Sequence, residues 1–128
     1  MKVGFTGTQE GMTTKQKLAV RKWLSEHEVT EGHHGDCIGS DADFHVICIS
    51  LGIRVVVHPP INPSKRAFKR GCAEKPAKPY MQRNDDIIDD TDIMLATPST
   101  MMEELRSGTW STVRHARKKG KEVVMVFP

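Results

Sequence analysis

The stretch Arg106-Ser107-Gly108-Thr109-Trp110-Ser111-Thr112 carries the residue types best suited to hold an anion. It lies between a strand-like run, Ile93-Met94-Leu95-Ala96, and a helix-like run ending near Lys119. A turn of small residues at that point exposes backbone N–H groups at the positive end of a helix dipole, where phosphate is favoured. Gly108 has no β-carbon to hold a ligand off the backbone. Ser107 and Thr109 can cap the helix and also donate to a phosphate, and Arg106 belongs to the same candidate set. The chemistry implied is recognition of a phosphorylated small molecule, with a nucleotide as the leading class. Glu103 and Glu104 lie just upstream. A carboxylate there could bind ribose hydroxyls or support an oxocarbenium-like transition state at an N-glycosidic bond. A solvated loop is the plain alternative for both.

Three further constellations could join that turn. Gly4-Phe5-Thr6-Gly7-Thr8 sets Gly7 directly after a strand, so Gly7, Thr8 and Gln9 are candidate ligand contacts. A tight strand-to-helix turn also wants glycine there, and the spacing is neither G-x-G-x-x-G nor a Walker A loop. His33-His34-Gly35-Asp36-Cys37 offers imidazole, carboxylate and thiolate, all good zinc or copper ligands. Its spacing fits no zinc finger or metalloprotease, and adjacent histidines in a strand face opposite ways. No metal is expected there. The favoured reading is a turn in which Gly35, Asp36 and Ser40 contact a ligand, Asp36 accepting from a ribose or from nearby N–H groups. A capping Asp36 beside a buried Cys37 is the alternative. On a short helix, Arg83 could grip phosphate with its planar fork, Tyr80 could stack on a base, and Asn84 lies beside them. A surface helix with one ion pair would look the same. Lys65, Arg66, Lys69, Arg70, Lys75 and Lys78 form a basic cluster in one long segment. It reads as a lid over a polyanion, a nucleic-acid contact or, most simply, a solvated loop. With only Phe68 and nearby Tyr80 to stack on bases, nucleic acid is not expected as a partner.

The elements that must position these residues are legible in outline. Lys2–Thr6 reads as a first strand, and Thr13 begins a helix with Gln16 in capping-box position. Leu18, Trp23 and Leu24 fit a buried stripe on that helix. A weaker, polar second strand covers Val29–His34. Ser40 caps the next helix, with Asp41 and Asp43 in its first turn; Phe44, Ile47, Cys48 and Leu51 follow at helical spacing, and Gly52 stops it. Ile53–His58 is a buried strand ended by Pro59-Pro60. Residues 59–79 form the only long irregular segment. A helix over Tyr80–Asp89, a fourth strand over Asp92–Ala96, a helix over Thr109–Lys119 and a fifth strand over Glu122–Phe127 complete the chain. Strands alternating with helices predict a Rossmann-like, doubly wound parallel α/β sheet of five strands, order 3-2-1-4-5. Such sheets bind ligands at the strands' carboxyl ends, at the topological switch between the first and fourth strands. The loops at Gly7, Gly35–Ser40 and Thr97–Gly108 all leave carboxyl ends and converge on one crevice.

The chain has 128 residues, 38% hydrophobic and 27% charged, which suits one globular domain over 1–128. Its formal net charge of +3 does not mark a dedicated nucleic-acid binder. No apolar run reaches membrane-span length and no secretion signal is visible, so no membrane partner is expected. Cys37, Cys48 and Cys72 form no Cys-x-x-Cys pair, and a reducing cytoplasm is the expected setting.

Taken together, Gly4-Phe5-Thr6-Gly7-Thr8, His34-Gly35-Asp36-Cys37-Ile38-Gly39-Ser40-Asp41-Ala42, Arg83-Asn84 and Ser107-Gly108-Thr109-Trp110 make the chain resemble the SLOG superfamily. This is the Rossmann-like group of the LOG-type phosphoribohydrolases and DprA-type proteins, and the likeness is greatest to small single-domain members from bacteria and phages. The resemblance implies a nucleotide-derived ligand and a homodimer or higher homo-oligomer; no cofactor is expected. LOG-type hydrolases carry Pro-Gly-Gly-x-Gly-Thr-x-x-Glu, in which Gly-Thr binds phosphate and Glu serves catalysis. Here Gly108-Thr109 matches the binding half, while Thr112 stands where the glutamate would be. A threonine supplies neither that charge nor a general base. The expected function is therefore nucleotide binding, as sensor, carrier or sequestering protein. The alternatives are N-glycosidic-bond cleavage or transfer using Glu103 or Glu104, and, more weakly, an accessory role in DNA processing.

Overall fold

In a computed structural model that describes residues 1–128, the core begins on strand β1 (Lys2–Gly7). Val3 and Phe5 alternate onto one face of the sheet, and the Phe5 ring stacks on Phe44 with centroids 4.4 Å apart. That pairing brings helix α2 (Ser40–Ser50) onto β1. Helix α1 (Thr14–Glu26) lies on the same face. Its start is set by a capping box, in which Thr13 Oγ1 accepts from Gln16 N at 3.0 Å and Gln16 Oε1 from Thr13 N at 2.9 Å. The opposite face is covered by α3 (Tyr80–Asp90) and α4 (Gly108–Lys118), through Ile87, Ile88, Met94 and Ala116, and through Ala96, Trp110 and Val113. Helices on both faces leave the central strands β2 (Glu31–His34), β3 (Arg54–Val57) and β5 (Ile93–Thr97) almost wholly buried.

Every strand pairing is parallel, and the sheet order is β4-β3-β2-β1-β5-β6, with β6 at Val123–Met125. Setting the edge strand aside, this is the expected 3-2-1-4-5 arrangement. The correction is the sixth strand, β4 (Ala73–Glu74), inside the segment read as irregular. It is held by Cys72 N donating to Val55 O and Lys75 N to Val57 O, both at 2.8 Å. Two residues give no periodicity to read; the ladder of β3 dictates this strand. The same segment holds a 3-10 turn at Pro63–Lys65.

Two details of the helices also differ from expectation. Leu18 is exposed, and the buried stripe of α1 runs Gln16, Val20 and Leu24. Gln16 belongs there because its Nε2 donates to Pro98 O at 2.8 Å and Val126 O at 2.9 Å, which satisfies a polar group in the core. The cap of α2 is Gly39, not Ser40. Gly39 has φ +85°, and a β-carbon there would lie 2.2 Å from Gln9 O, so only glycine fits the turn that brings the first loop against α2.

Candidate functional site

The carboxyl ends of β1, β2 and β5 open onto one cavity of about 520 Å³, well within the range of small-molecule sites. Its floor is the end of β1 and the loop after it, where Thr6, Gly7, Thr8 and Gln9 line the space. Thr8 O accepts from Ser40 N at 2.9 Å, which docks this loop on the start of α2. Gly7 is required by packing as well as by access. A β-carbon on it would come within 2.4 Å of Ser40 Cβ and of Thr97 Oγ1. The Ser40 and Thr97 hydroxyls beneath it are buried without a hydrogen-bond partner.

One wall is the start of α4, with Ser107, Gly108, Thr109 and Thr112. Ser107 Oγ caps the helix by accepting from Trp110 N at 3.3 Å. The first N–H groups of a helix have no intrahelical acceptor, and here they border the cavity. A β-carbon on Gly108 would meet nothing within 4 Å, so the space beside it is open. Thr112 Oγ1 donates to Gly108 O at 3.1 Å, which ties the hydroxyl to the helix backbone.

The other wall is the first half of α3 with the loop after β2 and the first turn of α2. Gly35, Cys37, Asp41, Tyr80, Arg83 and Asn84 face the cavity. Arg83 is a buried strut. Its Nη1 donates to Gly35 O and, at 3.3 Å, to His58 O; its Nε donates to Asn84 Oδ1 at 2.7 Å. Its guanidinium lies 5.3 Å from the centre of the Tyr80 ring. The fork imagined for phosphate is thus largely occupied by backbone carbonyls, and Nη2, 3.8 Å from Cys37 Sγ, is the corner that remains. Burial pushes the Cys37 thiol up, so it is protonated at neutral pH.

Asp41 is the most perturbed carboxylate of the cavity. Burial raises its pKa to about 6, against the opposing pull of the Arg83 charge and of the Cys37 and Gly35 N–H groups. Its Oδ2 accepts from Cys37 N at 3.1 Å. As a first-turn residue of α2 it reads as a dipole partner in the sequence. Only the fold turns it toward Arg83 and the cavity.

Of the residues singled out from the sequence, Gly7, Thr8, Gln9, Gly35, Arg83, Asn84, Ser107, Gly108 and Thr109 all line this space, as does Glu104. Four do not. Asp36 is fully buried with φ +57°, its Oδ2 accepting from Arg66 Nε at 2.6 Å and its Oδ1 from Lys69 N at 2.8 Å. It fastens the segment 59–79 to the loop after β2. Ser40 is sealed under Gly7. Arg106 is exposed on the turn before the cap. Glu103 pairs with Arg114 Nη1 at 2.8 Å on the surface. Glu104 Oε1 accepts from Thr100 Oγ1 at 2.8 Å and stays at the rim.

The group His33-His34-Gly35-Asp36-Cys37 does not converge on one point. His34 faces α2, where its Nε2 lies 2.9 Å from His45 Nδ1, whereas His33 faces the other side of the sheet. In the basic segment, Arg66, Lys75 and Lys78 are engaged by Asp36, Asp90 and Asp86. Three of the six cations of this segment are thus paired, and Arg66 fastens it to the loop after β2.

No family model matches the sequence, and no curated protein matches it. Among solved structures, the X-ray structure of TM1055, a target of the Northeast Structural Genomics Consortium, matches 95% of this chain and 71% of that one. The TM-score is 0.69 at 15% sequence identity. The likeness is one of fold, a Rossmann-like parallel α/β sheet. No helix is long and apolar enough to cross a membrane.

Proposed function

We propose that this chain binds a nucleotide or nucleotide-derived small molecule in the cavity at the strands' carboxyl ends, as a sensor, carrier or sequestering protein of the SLOG type. The observation that carries the reading is the convergence of the β1 loop, the β2–α2 loop and the start of α4 on one mostly polar cavity. The open backbone at Gly108 supplies the phosphate seat. Thr8 and Thr109 supply hydroxyls, Tyr80 a ring face, and Asn84 a polar contact for ribose or base. A cytoplasmic setting and assembly into a homodimer belong to the same proposal; light scattering tests the latter.

A second reading rests on Asp41. A cavity carboxyl with a pKa of about 6 retains a proton well above the usual carboxylate range. That is the property of a general acid at a leaving group. With Glu104 at the rim, the cavity would then cleave an N-glycosidic bond and release free base.

The deciding experiment incubates the pure protein with nucleoside monophosphates, ADP-ribose and cyclic dinucleotides. Mass spectrometry follows both the retained ligand and the free products. Intact retention supports the binding protein and identifies its ligand. Free base appearing with turnover supports the glycosidic enzyme. Neither retention nor turnover across the panel overturns both.

A further inference from the structure

Strand β2 presents Glu31 and His33, two residues apart, on the sheet face that α3 covers. His58, just past β3, places its Nε2 2.8 Å from His33 Nδ1. The other nitrogen of His33, Nε2, lies 2.9 Å from Glu31 Oε1. Asp90, the last residue of α3, completes the group. One donor atom from each of His33, His58 and Asp90 lies within 4.8 Å of the other two. Both imidazoles are buried, at 3% and 2% exposure. None of the three lines the cavity at the carboxyl ends. His33, Glu31 and Asp90 instead border a separate hollow of about 360 Å³.

We propose that His33, His58 and Asp90 form a site for a divalent transition metal of the zinc type, with Glu31 orienting His33. Two imidazole nitrogens and one carboxylate oxygen are a zinc donor set that leaves a fourth position open. Glu31 accepts the Nε2–H of His33, which fixes that proton and aims the Nδ1 lone pair inward. A carboxylate behind the ring in this way commonly accompanies a metal-ligating histidine. In the metal-free chain the Nδ1 lone pair receives the Nε2–H of His58. A cation takes the place of that shared proton, and His58 then carries its ring proton on Nδ1. Both rings stay neutral and no proton is lost.

A tetrahedral shell with ordinary zinc bond lengths sets its donor atoms roughly 3.3 Å apart. The imidazoles therefore open slightly, and the exposed Asp90 side chain swings in. Lys75 Nζ, 4.0 Å from Asp90 Oδ2, gives up that loose contact. Lys2 and Arg54 stay on Glu31, at 4.0 and 3.5 Å.

The test is calorimetric titration of the chelator-treated, dialysed full chain with Zn²⁺ and with Co²⁺, alongside the Co²⁺ absorption spectrum and NMR of the histidine rings. The expected result is one metal per chain, a tetrahedral cobalt spectrum without a thiolate charge-transfer band, and shifts of the His33 and His58 ring resonances. Glu31→Gln should weaken binding roughly tenfold to a hundredfold, and Asp90→Asn about tenfold or more. Cys72→Ser should change nothing. Absence of binding, unperturbed His33 and His58 rings at saturation, unchanged affinity in Asp90→Asn, or loss of binding in Cys72→Ser would each overturn the site. His58→Gln should abolish binding; should it fail to fold, Asp90→Asn and the wild-type ring resonances still decide.

Discussion

A β-carbon at Gly108 would stand in open space at the mouth of α4, and an aspartate in that first turn is favourable to the helix. Gly108→Asp should therefore leave folding intact, with thermal stability within about 0.5 kcal/mol of wild type. It places a negative charge where the phosphate is proposed to sit. At roughly 4 Å such like charges repel by a few kcal/mol near a protein surface. Retained nucleotide should fall by a hundredfold or more on that estimate; unchanged affinity in a titration would remove phosphate from this turn. Asp41 makes the second residue-scale prediction. Its folded carboxyl holds a proton more tightly than an unfolded aspartate, with a pKa of about 6 against 3.8. The stability this group contributes is therefore full below about pH 4 and is lost as pH rises through about 6. The groups facing it are Arg83, Asp36 and Cys37. Asp41→Asn removes the ionisation and keeps an acceptor for Cys37 N. Between about pH 4 and 7.5, stability should shift in favour of the variant, relative to wild type, by an amount on the order of 3 kcal/mol. Urea unfolding at the two pH values measures it, and a constant difference would show that Asp41 is not buried as an acid.

At the scale of elements, segment 59–79 is anchored at one point more than any other. Asp36 accepts from Arg66 Nε and Lys69 N, and its own carbonyl accepts from Ala67 N at 2.8 Å. Asp36→Ala leaves the half-buried guanidinium without its closest partner and keeps a left-handed backbone that alanine adopts poorly. A loss of roughly 3 kcal/mol is expected, with faster proteolysis between residues 61 and 78. Asp36→Asn, which tolerates the left-handed conformation, should recover part of both. Equal protease resistance in the alanine variant would show that β4 and the 3-10 turn hold the segment without this tether. Strand β3, helix α4 and the Thr13 cap carry local signals, namely an apolar run, a serine before glycine, and a Thr-x-x-Gln spacing. Strand β4 carries none, because a two-residue edge strand is made by its partner's unpaired carbonyls.

For the whole molecule, the cavity exists only when β1, β2, β5, α3 and α4 are assembled, so a bound ligand stabilises the folded chain alone. A nucleotide present at a hundredfold over its dissociation constant should add about 2.7 kcal/mol to unfolding stability, read as a rise in melting temperature. A retained nucleotide that leaves the melting temperature unchanged would show that it binds the unfolded chain equally, and so not in a cavity that needs the assembled fold.

Alternation of strand and helix, with parallel connections of one hand, follows from residue patterns and chain geometry, and so the sheet order was within reach of the sequence. So were the loops that reach the carboxyl ends, since each follows a readable strand. The sequence could not say which side chains in those loops face the cavity. Asp41, not Asp36, faces the cavity, because a left-handed backbone at Asp36 turns its carboxylate toward Arg66, while the first turn of α2 carries Asp41 toward Arg83. Nor could it join His33 to His58 and Asp90, whose meeting depends on β3 lying beside β2 and on where α3 ends. Local patterns specify elements because they act over one or two turns of chain. Side-chain convergence is decided by packing between segments far apart in sequence, and only the tertiary structure contains that.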